Sequence, residues 1–314
     1  MSNIPDTRHI CVHCERSNRL SSHTPPPARP TTLLAALLSG LLALLLPWSS
    51  HAQGLPKWEV GVGMINLHLP YYRGSDASRN YLILYPHLIY RGERVNLDEQ
   101  GVKSWLFQSN RVQLDFSLAA GLPVPANQNS RRTGMEALEP TVEIGPSLSV
   151  HLWRAEKKNR TLRLVLPLRS AFSLDLPNLP HEGWVFSPYL QLSLAHYDRN
   201  YWQGAVSWGP IFADAQYHNY FYGVEARYAS ASRPAYHSAG GYAGQRLTFI
   251  LKRKWENKII SAFIRLDSLN GAVFEDSPLV ASKSYHIAGI AVTWMMATSK
   301  ERAGTRQADP VIYL

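Results

Sequence analysis

Cysteine is nearly absent. Cys11 and Cys14 are the only two in 314 residues, and both lie near the N-terminus, so the rest of the chain can form no disulfide and must hold itself by hydrogen bonding and burial. Cys11-Val12-His13-Cys14 has the spacing of half a zinc site, but a structural site needs four ligands and no second pair follows. Long apolar runs are missing too: after Gln53 no stretch approaches the roughly 20 apolar residues of a membrane-spanning helix. No G-x-S-x-G nucleophile motif occurs, nor any compact nucleic-acid-binding motif. These absences set aside a helical membrane protein, a metal-built domain and a nucleic-acid binder, and they point to a chain without catalytic, cofactor-binding or metal-binding residues.

What is present begins with an export signal. Thr31–Leu46 reads TTLLAALLSGLLALLL, uncharged and apolar, and Ser50 and Ala52 are small residues at the −3 and −1 positions of a signal-peptidase site. The run is short for a transmembrane anchor, so cleavage before Gln53 is expected, with residues 1–52 a leader extension plus signal peptide. Residues 53–296 are then the folded body and 297–314 a C-terminal tail.

Within the body the dominant period is two. Leu162, Leu164, Leu166 and Leu168 alternate with Thr161, Arg163 and Arg169; Val112, Leu114, Phe116 and Leu118 alternate with Arg111, Gln113, Asp115 and Ser117. Twelve strands are expected: 57–67, 79–90, 94–98, 102–107, 111–121, 140–152, 161–174, 183–197, 201–212, 241–253, 258–269 and 283–296. Alternation alone does not say which solvent the oily face meets, but length does. Many of these runs exceed the 5 or 6 residues of soluble strands and match or exceed the roughly 9–11 of a tilted transmembrane strand. Aromatic residues gather near the strand ends, among them Trp58, Tyr81, Tyr90, Trp153, Trp184, Trp202, Trp255 and Trp294, as at a membrane interface.

The connections add a second signal. The odd ones (70–78, 99–101, 122–139, 175–182, 213–240 and 270–282) are long with one exception, and the even ones (91–93, 108–110, 153–160, 198–200 and 254–257) are short. An outer-membrane barrel has this asymmetry, with long loops outside and tight turns in the periplasm. The expected fold is therefore all-β: a transmembrane antiparallel up-and-down β-barrel of about twelve strands, its outward stripe in outer-membrane lipid. Its backbone groups can be satisfied in hydrocarbon only if the sheet closes.

Charges fall into two groups. Glu59, Arg111, Asp115, Glu143, Arg163, Arg169, Arg246, Lys252, Arg265 and Asp267 share the polar face of their strands; they read either as the lining of a selective pore or as an ion-paired plug. The chain carries Lys+Arg 32 against Asp+Glu 23, a formal net charge of +9. Much of that excess sits on the even turns and the tail: Arg154, Lys157, Lys158, Arg160, Arg253, Lys254, Lys258, Lys300 and Arg302. Such a basic rim attracts an anionic surface or an acidic protein, although simple solvation of turns explains it equally well. The longest loop, 213–240, holds Tyr217, His218, Tyr220, Phe221, Tyr222, Tyr228, Tyr236 and His237, suited either to binding or to packing over the barrel mouth. With Asp214 and Ser238 it also holds the residue types of a hydrolase triad, which only geometry can test. Glu275 and Asp276 could face a cation or cap a turn.

The loop and turn sequences themselves resemble the MipA/OmpV family of outer-membrane proteins. The likeness is carried by Tyr72-Arg73-Gly74-Ser75-Asp76, YPHLIYRGERV (85–95), LEPTVEIGPSL (138–148), GWVFSPYL (183–190), GPIFADAQYHNYFYGV (209–224), RPAYHSAGGYAG (233–244) and NGAVFEDSPLV (270–280). The resemblance implies an outer-membrane barrel and, for some members, a scaffold for a periplasmic murein transglycosylase or synthase; it implies no catalytic residues. Two departures stand out: the long segment before the signal peptide, and a tail after Met296 where such barrels usually stop on an aromatic residue. A channel for small solutes and an outer-membrane acyl hydrolase are the competing expectations.

Overall fold

The computed structural model describes residues 56–303, except 93–94, 99–100, 105–106, 110, 126–129, 156–159 and 196–201. The leader with Cys11 and Cys14, the expected cleavage site, Lys157 and Lys158, and the tail from residue 304 lie outside the described residues.

The described chain is almost entirely antiparallel β-sheet. The strands are β1 (Trp58–Pro70), β2 (Ser78–Arg91), β3 (Val95–Asp98), β4 (Gly101–Ser104), β5 (Phe107–Gln108), β6 (Val112–Gly121), β7 (Thr141–Ala155), β8 (Arg160–Ser173), β9 (His181–Phe186), β10 (Tyr189–Ala195), β11 (Trp202–Ala213), β12 (Gly241–Trp255), β13 (Lys258–Ser268) and β14 (Ser284–Thr298). The count is fourteen rather than twelve, for two reasons. The expected strand 183–197 breaks at Ser187-Pro188 into β9 and β10, because proline supplies no amide to the ladder; Phe186 and Leu190 nonetheless keep the same outward parity. The expected strand 102–107 falls on β4 and the two-residue β5, on either side of residues 105–106, which lie outside the described residues. The last strand also runs two residues past Met296: Thr298 still pairs with Glu59, and Lys57 N–H donates to the Glu301 carbonyl at 2.9 Å.

All fourteen strands form one sheet in the order β4-β3-β2-β1-β14-β13-β12-β11-β10-β8-β7-β6-β5, with β9 bridging β8 and β11. The first long strand thus pairs with the last, Val62 opposite Trp294 and Ile65 opposite Ala291. The edge strands of the order, β4 and β5, are separated in the chain by residues 105–106 alone.

The sheet is strongly curled. Loop 122–140 joins β6 to β7, and loop 269–283 joins β13 to β14. Five strand spacings lie between β7 and β13, roughly 24 Å in a flat sheet at about 4.8 Å per strand. Yet Arg131 of the first loop donates to the Pro278 carbonyl of the second at 3.0 Å. Likewise Lys254 on β12 reaches Glu59 on β1 at 2.6 Å across two intervening strands. The concave face is where side chains are buried: Glu59, His87, Asp115, Arg163, Gln191, Asp267 and Thr293 are all under 6% exposed.

The convex face is apolar and bare. Leu84 is 78% exposed and Ile290 62%, and Val62, Phe116, Leu118, Leu192, Leu194, Phe249, Leu251, Ile264 and Leu266 join them. Contiguous apolar surface beyond a few hundred Å² is rare on a soluble monomer and marks a face that meets lipid or a partner. Exposed rings flank it: Trp58, Tyr90, Trp153, Trp255 and Trp294 towards the chain ends, and Trp184, Trp208 and Phe212 towards the long loops. Tyr81 departs from the expected girdle, since it shares the parity of buried His87 on β2.

Tight turns and long loops separate to opposite ends. At one end the β12–β13 hairpin turns on Glu256 and Asn257, with Trp255 paired to Lys258. Glu256 takes φ 48°, the left-handed conformation that a two-residue hairpin demands. At the other end the long loops fold on one another.

Candidate functional site: a capped, charge-lined concave face

The cap is built from loop aromatics. Asp214 follows β11 and caps helix α1 (Ala215–Tyr222), accepting from Tyr217 N–H at 2.9 Å and from Trp184 N–H at 3.0 Å. The helix turns His218 and Tyr222, four residues apart, to one buried side. There Tyr222 stacks on Phe274 from loop 269–283, centroids 3.7 Å apart and planes 8° off parallel, and His218 meets the same ring edge-on at 4.8 Å. Tyr72, Val124, Leu138, Val185, Ile211 and Leu269 belong to the same cluster. Polar ties bind the loops together: Tyr72 Oη donates to the Leu279 carbonyl at 2.7 Å, Tyr222 Oη to the Arg73 carbonyl at 3.0 Å, and Ser277 Oγ to the Tyr222 carbonyl at 2.8 Å.

The putting together of these rings sets their ionisation. Burial lowers the His218 pKa below the usual imidazole value, so the ring stays neutral; its Nδ1 bonds the Ala239 carbonyl at 2.8 Å. Burial raises the Tyr222 hydroxyl far above the usual phenol range. Tyr217 rises as well, by burial and by its 2.9 Å bond to the Glu143 carboxylate. Burial works against the Arg73 charge, but the oxygens of Tyr285, Tyr222 and Asp267 outweigh it and hold the guanidinium above its ordinary value.

The triad residues are not assembled. Asp214 is engaged as a helix cap, His218 lies inside the aromatic cluster, Ser238 Oγ donates to the Ala239 carbonyl at 3.0 Å, and His237 is exposed. Glu275 caps a turn, accepting from Gly271 N–H at 2.6 Å, and Asp276 is exposed. Among the described residues no group of three His, Cys, Asp or Glu side chains is placed to hold a metal.

Beneath the cap the concave face carries ion-paired clusters. Asp267 lies among Arg246 at 3.2 Å, Arg265 at 3.5 Å and Arg73 at 3.5 Å, and accepts from Tyr285 Oη at 2.5 Å. Glu143 pairs with Arg169 at 2.8 Å. Gln113 bonds both oxygens of Asp115 at 2.9 Å, and Arg163 donates to Gln191 at 2.6 Å. Near the tight-turn end, Glu59 is held by Lys254 at 2.6 Å and Arg91 at 2.8 Å. Lys252 shares the concave parity of Arg246 and Lys254 on β12. Arg111 does not join this face; it is exposed in the turn before β6. Arg73, Arg91 and Tyr285 belong to these clusters, but sequence alternation did not single them out: Arg73 sits in a loop, where the period of two stops, and Arg91 closes a strand whose end read as a turn.

The basic rim divides. Arg154, Arg160, Lys258, Lys300 and Arg302 are exposed. Arg253 lies over the Trp202 and Trp255 rings at 4.7 and 4.6 Å. Lys254 is a correction: it is 8% exposed and turned inward to Glu59, because its parity on β12 is that of the concave face. It is therefore no part of an outer docking surface.

With this geometry in place, the comparison with known proteins is decisive at the family level. Residues 60–296 match the family model described as MltA-interacting protein MipA. The chain belongs to the MipA family. Among relatives, the outer membrane protein Omp26La of Vibrio anguillarum is 24% identical over 230 residues, covering 70% of this chain and 80% of the relative. The outer membrane protein OmpV of Vibrio cholerae serotype O1 is 32% identical over 89 residues, 27% of this chain and 33% of that one. A solved structure described as a bacterial polysaccharide outer membrane secretin aligns over 76% of this chain and 99% of its own, at 7% identity and a TM-score of 0.38. At that score the likeness carries no argument. The matched region runs from within β1 to within β14 and takes in all the cap loops.

Proposed function

We propose that this MipA-family chain is exported through its N-terminal signal peptide and closes its sheet into a barrel in the outer membrane. There it acts as a non-catalytic scaffold for a periplasmic murein-remodelling enzyme. The observation that carries the reading is the sorting of surfaces. The convex band is apolar and suits hydrocarbon, four of the long loops meet in a packed cap, and exposed cations remain at the tight-turn end. Closure follows from solvent: in lipid the edges β4 and β5 must pair or leave amides unsatisfied. The family description names an interaction with MltA, and the exposed residues Arg154, Arg160, Lys258, Lys300 and Arg302 are the surface offered to such a partner. A cap to which loops 71–77, 122–140, 214–240 and 269–283 all contribute weighs against a wide solute channel, and the engagement of Asp214 as a helix cap and of His218 and Ser238 with the Ala239 carbonyl weighs against a hydrolase.

Purified MltA titrated onto the full-length chain in detergent tests the docking. Binding is expected to be saturable and to weaken at least tenfold when Arg154, Lys258 and Arg302 are all changed to Glu, since rim charges govern encounter and salt dependence. No binding, or binding indifferent to those changes, contradicts the scaffold reading.

A further inference from the structure

The concave face holds a half-open space that the scaffold role does not use. A cavity of about 210 Å³ lies between β6, β8, β11 and β12, and its charged lining consists of two arginines, Arg169 and Arg246. No carboxylate lines it among the described residues. Ser117, Ser187, Ser207 and Thr248 add hydroxyl groups to the wall.

The two arginines are held from behind. Arg169 gives Nε to Glu143 at 2.8 Å, Nη1 to Ser117 Oγ at 3.2 Å and Nη2 to Ser187 Oγ at 3.1 Å, so its plane is fixed. Arg246 gives Nε and Nη2 to Asp267 at 3.2 and 3.5 Å, and its Nη1 has no partner among the described residues. Asp267 is shared with Arg73 and Arg265, so three guanidinium groups face one carboxylate and the cluster carries surplus positive charge. Ser207 and Thr248 sit directly opposite each other on β11 and β12, and neither hydroxyl makes a hydrogen bond to the described residues. The cavity therefore combines an oriented guanidinium with spare donors, a cross-strand pair of unengaged hydroxyls, uncompensated positive charge and partial exclusion of water.

We propose that this cavity is a binding site for a compact oxyanion, with Arg246 as the principal charge partner and Ser207 and Thr248 as the hydrogen-bond donors. Charge-assisted bonds from a planar guanidinium to a tetrahedral or planar oxyanion are shorter and stronger than neutral ones, and a cavity of this size admits an ion of phosphate dimensions with a few waters. A spherical halide satisfies the charge but not the directed donors. The site thus discriminates by geometry as well as by sign. The proposal is independent of docking at the rim, which lies at the tight-turn end.

Thermal unfolding of the full-length chain in detergent tests it, with inorganic phosphate or sulfate titrated against chloride at constant ionic strength. The expected result is a saturable rise in the midpoint with either oxyanion and none with chloride, as mass action requires of a ligand bound only to the folded state. Arg246→Gln should raise the half-saturating concentration at least tenfold. Ser207→Ala with Thr248→Val, which removes no ion pair and so leaves the fold's charges intact, should raise it several-fold. An oxyanion effect no larger than that of chloride, or half-saturation unchanged in both variants, overturns the proposal.

Discussion

Glu59 shows how a single residue constrains the interior. It is fully buried, and a carboxylate in that position is tolerable only with its counter-charges in place. Lys254→Ala removes one of them and is expected to destabilise the folded chain by about 3 kcal/mol. Lys258→Ala, four residues along and exposed, should cost no more than about 0.5 kcal/mol. Urea unfolding in detergent measures both. Equal effects would mean that Lys254 is free in solution rather than paired. Combining Lys254→Met with Glu59→Gln should recover part of the loss, because the pair is then removed together. The sequence placed Glu59 correctly on the polar face of its strand but read Lys254 as part of the rim. Both residues lie near strand ends, where one more paired residue decides between turn and ladder. The alternating pattern cannot show how far a ladder extends.

Among the elements, the long strands were legible because each alternates over many residues, and every residue on the convex stripe repeats the same choice. Shorter pieces were not. β9 and β10 read as one strand because Phe186 and Leu190 stay in phase across Ser187-Pro188; the proline was the available signal. Gly209 faces that break, and a Cβ there would lie 2.0 Å from the Pro188 carbonyl oxygen, so the broken strand can approach β11 only over glycine. Helix α1 was hidden inside an aromatic loop, although Asp214 as a cap and the spacing of His218 and Tyr222 marked it. Its partner Phe274 came from another loop altogether, and no local pattern announces such a contact. Phe274 is fully buried between Tyr222 and His218. Phe274→Ala should therefore cost the cap about 3–5 kcal/mol. Limited proteolysis in loop 214–240 should speed up while the heat-resistant migration of the folded sheet in detergent gels persists. Unchanged proteolysis would mean that the stack does not hold the cap; loss of the folded band would mean that cap and sheet are one cooperative unit.

At the scale of the whole molecule, one alternation produces two surfaces with opposite needs. The concave side gathers carboxylates and guanidinium groups into paired clusters, and the convex side presents leucine, isoleucine, valine and aromatic rings with nothing in the described chain to cover them. Only a hydrocarbon solvent makes that convex surface stable. The convex stripe therefore faces lipid in the proposed barrel. Spin labels placed singly along β10 and β13 in the bilayer-reconstituted protein test it most directly, read by collision with oxygen, which partitions into lipid, and with a water-soluble nickel chelate. High oxygen accessibility is expected at Leu192, Leu194, Ile264 and Leu266, and low accessibility to both reagents at the intervening Gln191, Ser193 and Arg265. Stripe positions that neither reagent can reach, as in two sheets packed face to face, would contradict it.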